Sequence, residues 1–258
     1  MLLIFPTIVQ AQKLHLSTQS DSALYYYHLG WLKIMDEGSY SNAAQAFAKV
    51  VKHDPNFLVG LTIRGRISKD IQEQKKLLKI IEKQRHKIQG DERLLLDVFT
   101  ELHRLMIIRQ GKSVQKTRKQ LNKALNLSQK NLHIIANKYP DEPYYIAEYL
   151  ETLHYKAGAQ SVLDSLKLFP KAAKTPFLIG YKAEALAELG KYQQALILAD
   201  QLFLIFASKP DVPKPWVVKG AIYAAMGDKI TAKKFVKQAL KLDSENIDAQ
   251  RLLFKLKK

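Results

Sequence analysis

The chain has 258 residues and a formal net charge of +17, from 41 basic and 24 acidic side chains, and it contains no cysteine. That length is enough for one or two ordinary domains with a large core. The missing thiols exclude a disulfide framework, thiolate metal sites, a cysteine nucleophile and a lipid-modified N-terminal cysteine.

An apolar fraction of 47% with only 11 Gly and 9 Pro points to a globular helical chain, not a disordered or turn-rich β one. Of the basic residues 33 are Lys and 8 are Arg. Arg is the side chain suited to bidentate phosphate recognition, whereas Lys is a solvated point charge. The balance therefore favours a Lys-rich surface, while leaving attraction to nucleic acid, anionic lipid or an acidic partner open.

Met1–Gln12 is apolar apart from Thr7 until Gln10, and too short to span a bilayer. It resembles the apolar core and cleavage region of a secretory signal peptide, with Val9-Gln10-Ala11 as the small-x-small site, although a basic leading region is missing. Residues 1–21 are accordingly expected to be a signal-peptide remnant and tail of an exported protein. The alternatives are an apolar arm docking on the first helix, and a cytoplasmic chain.

Asp21 or Ser22 can cap a helix over about 23–36, Gly38 closes it, and a partner helix follows over 40–54 until Pro55. The marks of this pair are Leu29-Gly30, then Ala43-x3-Phe47, then Pro55. They resemble the tetratricopeptide repeat family, whose unit of about 34 residues runs W-x2-L-G-x2-Y, A-x3-F, P. Tyr26 stands in place of the Trp, and one extra residue separates Gly30 from Gly38. Two further copies follow. Residues 177–206 carry Gly190, Tyr192, Ala195 and Leu202, with Ile179 and Ala183 where Trp and Gly belong. Residues 215–244 carry Trp216, Gly220, Tyr223, Gly227, Ala232 and Ala239, with Lys219 for the Leu and Ser244 for the Pro.

Between the copies, residues 58–170 keep the up-down rhythm while helix lengths drift. Helices are expected over 57–67, 69–88, 91–110, about 113–138, 143–156 and 159–169, the last short for the family. Residues 246–258 read as an amphipathic cap. The expected fold is all-α: about twelve helices forming one right-handed α-solenoid over 22–258 with a C-terminal capping helix.

Nothing in the chain spells a reaction. Gly111-Lys112-Ser113 ends like a phosphate loop, but Met106 occupies the earlier glycine position and the stretch before it is helical, so Ser113 reads as a cap. Glu101-x-His103 and Glu151-x2-His154 lack further ligands at metal spacing. The expectation is a non-catalytic chain without metal or cofactor.

Two constellations remain. From Leu102 to Pro140 there is no acidic residue, and Lys112, Lys116, Lys119, Lys123 and Lys130 share one helical face. That face reads either as a contact for nucleic acid, anionic membrane or an acidic partner, or as a solvated face neutralised by neighbouring helices. The other constellation comes from the resemblance. In that family the first helix of each pair lines a concave groove where peptides dock. This implies Tyr27, Trp31, Tyr145, Glu148, Glu184 and Lys214 as partner contacts, with interhelical core as the competing reading for the aromatic residues. The function expected is a protein-protein interaction module taking a peptide or partner protein in that groove.

Overall fold

The structure, a computed structural model, describes residues 13–111 and 113–257. Met1–Gln12, on which the export expectation rests, and Lys112 of the basic stripe lie outside the described residues. Among the described residues there are twelve α-helices and no strand. They are α1 (Asp21–Trp31), α2 (Tyr40–His53), α3 (Leu58–Ile67), α4 (Ile71–Gln84), α5 (Gly90–Gln110) and α6 (Val114–Lys138). Then come α7 (Pro143–Leu166), α8 (Pro176–Glu188), α9 (Tyr192–Ile205), α10 (Lys214–Ala225), α11 (Lys229–Leu242) and α12 (Ile247–Lys255). None is long and apolar enough to cross a membrane.

Successive helices pack as pairs, α1 on α2, α3 on α4, α5 on α6, α8 on α9 and α10 on α11, with α12 covering α11. This is an α-solenoid. α7 is broken at Gly158, whose φ of 79° divides it into limbs 143–157 and 159–166. A side chain there would oppose the left-handed backbone. Local chemistry explains the starts. Ser20, one residue earlier than expected, accepts from Ala23 N–H to cap α1. Ser113, Asp228 and Asn246 cap α6, α11 and α12 in the same way. Ser113 is thus a helix cap, not part of a phosphate cradle.

Small residues let the paired helices approach. A Cβ on Gly30 would lie 2.5 Å from the Phe47 ring, and one on Gly220 would lie 2.7 Å from Val236. The largest core cluster runs from Leu16 to Ala185, and two smaller ones continue it through α8–α10 and α10–α12. At its centre Trp31 touches Tyr27, Phe47, Phe99 and Tyr144, ring centroids 5.9–6.2 Å apart.

The extra residue between Gly30 and Gly38 is absorbed by a π-turn at Leu32–Asp36. It delivers the buried Asp36 carboxylate to the start of α8, where it accepts from Phe177 N–H at 2.9 Å and from the Tyr144 hydroxyl at 2.9 Å. The superhelix curls until this first hairpin meets the last pair. Glu37 C=O accepts from Lys214 N–H at 3.0 Å, and Gly38 C=O accepts from the Asn246 amide at 2.7 Å. Ser41 N–H donates to Asp243 at 3.0 Å, and the Tyr40 hydroxyl donates to Asp248 at 2.8 Å.

One buried group gives the fold a pH signature. His103 on α5 is fully buried against Gly65 of α3, a Cβ on which would come within 2.1 Å of the imidazole, and neither ring nitrogen finds a hydrogen-bond partner. Burial holds its pKa down at about 4, and the nearby Arg66 and Arg104 charges push the same way. The unfolded chain, titrating at about 6.5, binds the extra proton first. Stability from the neutral ring is therefore complete above that pH and is lost as pH falls toward 4, by something on the order of 3 kcal/mol. Between pH 6.5 and 4 the urea midpoint of His103→Leu should fall less steeply than that of the parent. Equal slopes would remove His103 from the acid response.

Candidate functional site

Four helices, α7, α8, α10 and α12, surround a cavity of about 660 Å³. Phe177 and Tyr181, one turn apart on α8, stack at 5.7 Å to form an aromatic wall. Above it lies Lys214, 8% exposed, its ammonium 4.5 Å from the Phe177 ring centre and without an ion-pair partner among the described residues. Such a contact holds a cation at moderate strength and leaves its hydrogen-bonding capacity unused.

Four carboxylates also face this space: Glu151, Glu184, Glu188 and Asp248. Two are engaged. Glu188 meets His154 Nε2 at 2.8 Å; with Nε2 donating, Nδ1 accepts from the Tyr181 hydroxyl at 2.9 Å. Asp248 accepts from Tyr40 and lies 3.9 Å from Arg251. The Glu151 and Glu184 carboxylates have no hydrogen-bond or ion-pair partner among the described residues. Desolvation pushes the Glu184 pKa up to about 7, Lys214 opposing, with Asp248 and Glu188 adding to the rise. Glu151, exposed at the cavity wall, is pushed up as well, by desolvation first and then by Glu148 and Asp248. A cation bound in this cavity would relieve both.

The residues expected in the groove divide into two groups. Glu184 and Lys214 line the cavity. Tyr27, Trp31 and Tyr145 do not: they are 0%, 3% and 5% exposed, and the Tyr27 and Tyr145 hydroxyls meet each other at 3.3 Å inside the core. Glu148 is also buried, paired with Arg66 at 2.8 Å. The expectation for these four is corrected: Phe47, Phe57 and Phe99 converge on α1 and draw Tyr27 and Trp31 inward, and on α7 Tyr145 meets Tyr27 while Glu148 is taken up by Arg66. Glu151 and His154 do face one cavity, as their spacing allowed. Among the described residues, however, no group of three side chains is placed to hold a metal. Tyr181, Asp248 and Arg251 were not singled out from sequence. The one trace was an aromatic pair, Phe177 and Tyr181, four residues apart on a first helix.

Along α6, Lys116, Lys119 and Lys130 are exposed and without ion-pair partners among the described residues, whereas Lys123 pairs at 3.0 Å with Glu101 of α5. Part of that stripe is thus neutralised by the neighbouring helix. Glu101 is itself satisfied by Arg104 and Gln120.

The tetratricopeptide repeat model matches residues 213–246, the α10–α11 hairpin with its flanks. Among solved structures, a chain of the APC/C hetero-tetramer Cut9-Hcn1 is similar at 13% identity and a TM-score of 0.48 over 92% of this chain, which spans 43% of that one. A thermophilic TPR protein of Thermus thermophilus, TTC0263, is similar at 15% identity and a TM-score of 0.34, covering 92% of this chain and 100% of that one. No curated protein matches the sequence. Stacked helical repeats of this kind form extended concave surfaces. The matched hairpin, α10–α11, is thus similar to one tetratricopeptide repeat and sits as one unit in a continuous stack of helix pairs.

Proposed function

We propose that this protein binds, without catalysis, a peptide segment of a partner in the cavity between α7, α8, α10 and α12, and that the segment presents a basic side chain. The observation that carries this is the pair of unpartnered carboxylates, Glu151 and Glu184, beside the Phe177–Tyr181 wall. Two carboxylates without partners on the wall of one cavity, Glu184 half-buried and Glu151 exposed, are an arrangement that a guanidinium or ammonium completes. The aromatic wall offers area to its alkyl stem. The Lys214 ammonium donates to the segment's carbonyl oxygens.

A photo-cross-linking residue in place of Tyr155, an exposed member of the cavity wall, tests this in extracts of the native source. It should give adducts within one partner segment containing Lys or Arg, and a probe at Lys237, exposed on α11, should give none there. Glu151→Gln with Glu184→Gln should reduce capture by about tenfold with an unchanged melting curve. Because binding a cation favours the ionised Glu184, whose pKa is raised to about 7, capture should strengthen from pH 6 to pH 8. Undiminished capture by the double variant, or adducts only at Lys237, would refute the assignment.

A further inference from the structure

A second recess, of about 480 Å³, lies on the other side of α8 from the cavity. Its wall residues on that helix, Lys182 and Leu186, sit nearly half a turn around from Tyr181 and Glu184. Its floor is apolar: Leu163, Leu166, Ala173, Leu186, Ile197 and Leu198. Lys167, Lys182 and Lys191 stand at its edge. Lys167 is paired with Asp164 at 2.7 Å, whereas Lys182 and Lys191 have no ion-pair partner among the described residues.

The recess has a cause in the repeat pattern. The second helices α2, α9 and α11 have 14 residues each. The second limb of α7 covers only 159–166. In repeat register it matches 192–199, so residues 200–205 of α9 have no counterpart beside them. Ile197, in the recess wall, is 60% exposed, and beyond the recess along α9 Leu204, two turns on, is 76% and Ile205 42% exposed. An apolar stripe open to water at the place where the array lacks helical turns marks a docking surface.

We infer that this recess receives an amphipathic helix of a partner protein, apolar on the face it buries and acidic along its margins, lying where the missing turns of α7 would be. The open stripe at Ile197 and Leu204 follows helical spacing, which an apolar helix face complements. The unpaired Lys182 and Lys191 set the sign of the partner's flanking charges. A flat anionic bilayer offers the same charge but does not fill a recess. This surface is separate from the cavity across α8 and takes a ligand of opposite charge.

Two synthetic helical peptides test the inference on the full chain by fluorescence anisotropy. Both carry Leu at spacings of three and four; one has Glu on its remaining faces and the other has Lys. The Glu peptide should bind about tenfold more tightly than the Lys peptide at low salt. Ile197→Glu, at an exposed position, should weaken it by about tenfold with an unchanged melting curve. Lys182→Glu with Lys191→Glu should invert the preference between the peptides, while Glu151→Gln with Glu184→Gln should leave it unaltered. Equal binding of the two peptides, no binding of either, or indifference to Ile197→Glu overturns the inference. Retention on phosphatidylserine–phosphatidylcholine vesicles in place of the peptide overturns it too, in favour of a membrane.

Discussion

Replacing Trp31 with alanine should destabilise the protein by about 3–5 kcal/mol, the range for truncating a buried large aromatic side chain. The indole is 3% exposed and sits between the α1–α2 pair and the helices that follow, stacked on Tyr144 at 6.0 Å and tilted against Phe99 at 5.9 Å. Its removal opens a cavity that four rings border, and aromatic rings cannot collapse into a gap without leaving their staggered rotamers. Trp216 is the internal control. It is only partly buried, against Phe203 and Phe235, so Trp216→Ala should cost distinctly less. Urea unfolding followed by circular dichroism measures both. A Trp31→Ala midpoint equal to the parent's would mean that the indole is not part of the core.

The second large effect is expected at Asp36. Alanine there strips the acceptor from Phe177 N–H at the start of α8 and from the Tyr144 hydroxyl, costing about 2–4 kcal/mol as a lost cap plus an unpaired buried donor. Asparagine keeps a carbonyl for Phe177 N–H and an amide N–H that the Tyr144 oxygen can accept, so Asp36→Asn should recover part of the loss. Burial raises the Asp36 pKa, which makes the neutral replacement more tolerable than at an exposed cap. Hydrogen exchange should report faster exchange at Phe177 N–H and, across the contact with the last pair, at Ser41 N–H. Unchanged protection at both amides in Asp36→Ala would show that this carboxylate does not fasten the first hairpin to α8.

The fold was legible because helix packing leaves its mark at fixed spacing. Gly30 against Phe47 and Gly220 against Val236 are contacts that the repeat pattern encodes directly. The lining of the cavity was only partly legible. Family geometry says that first helices line the concave side, which placed Glu184 and Lys214 in the cavity. It does not say which face of a first helix turns inward at a given repeat. On α1 that is decided by Phe57 and Phe99, 30 residues and more away in the chain, and they take Tyr27 and Trp31 into the core. The contact between the ends was not legible at all, since Ser41 with Asp243 and Tyr40 with Asp248 obey no period. The extra residue before Gly38 marked a different contact, the π-turn that aims Asp36 at the start of α8.

That contact between the ends changes how the molecule should come apart. In an open array each unit touches only its neighbours, and stability is close to a sum of local terms, so an end unit can fray or be deleted alone. Here Glu37, Gly38 and Ser41 bond to backbone and side chains more than 170 positions further on, namely Lys214, Asn246 and Asp243. Deleting the last pair would strip partners from the first, and loosening the first would release the last. The first and last helix pairs therefore behave as one cooperative unit that forms only when both are present, a slow long-range step among otherwise local contacts.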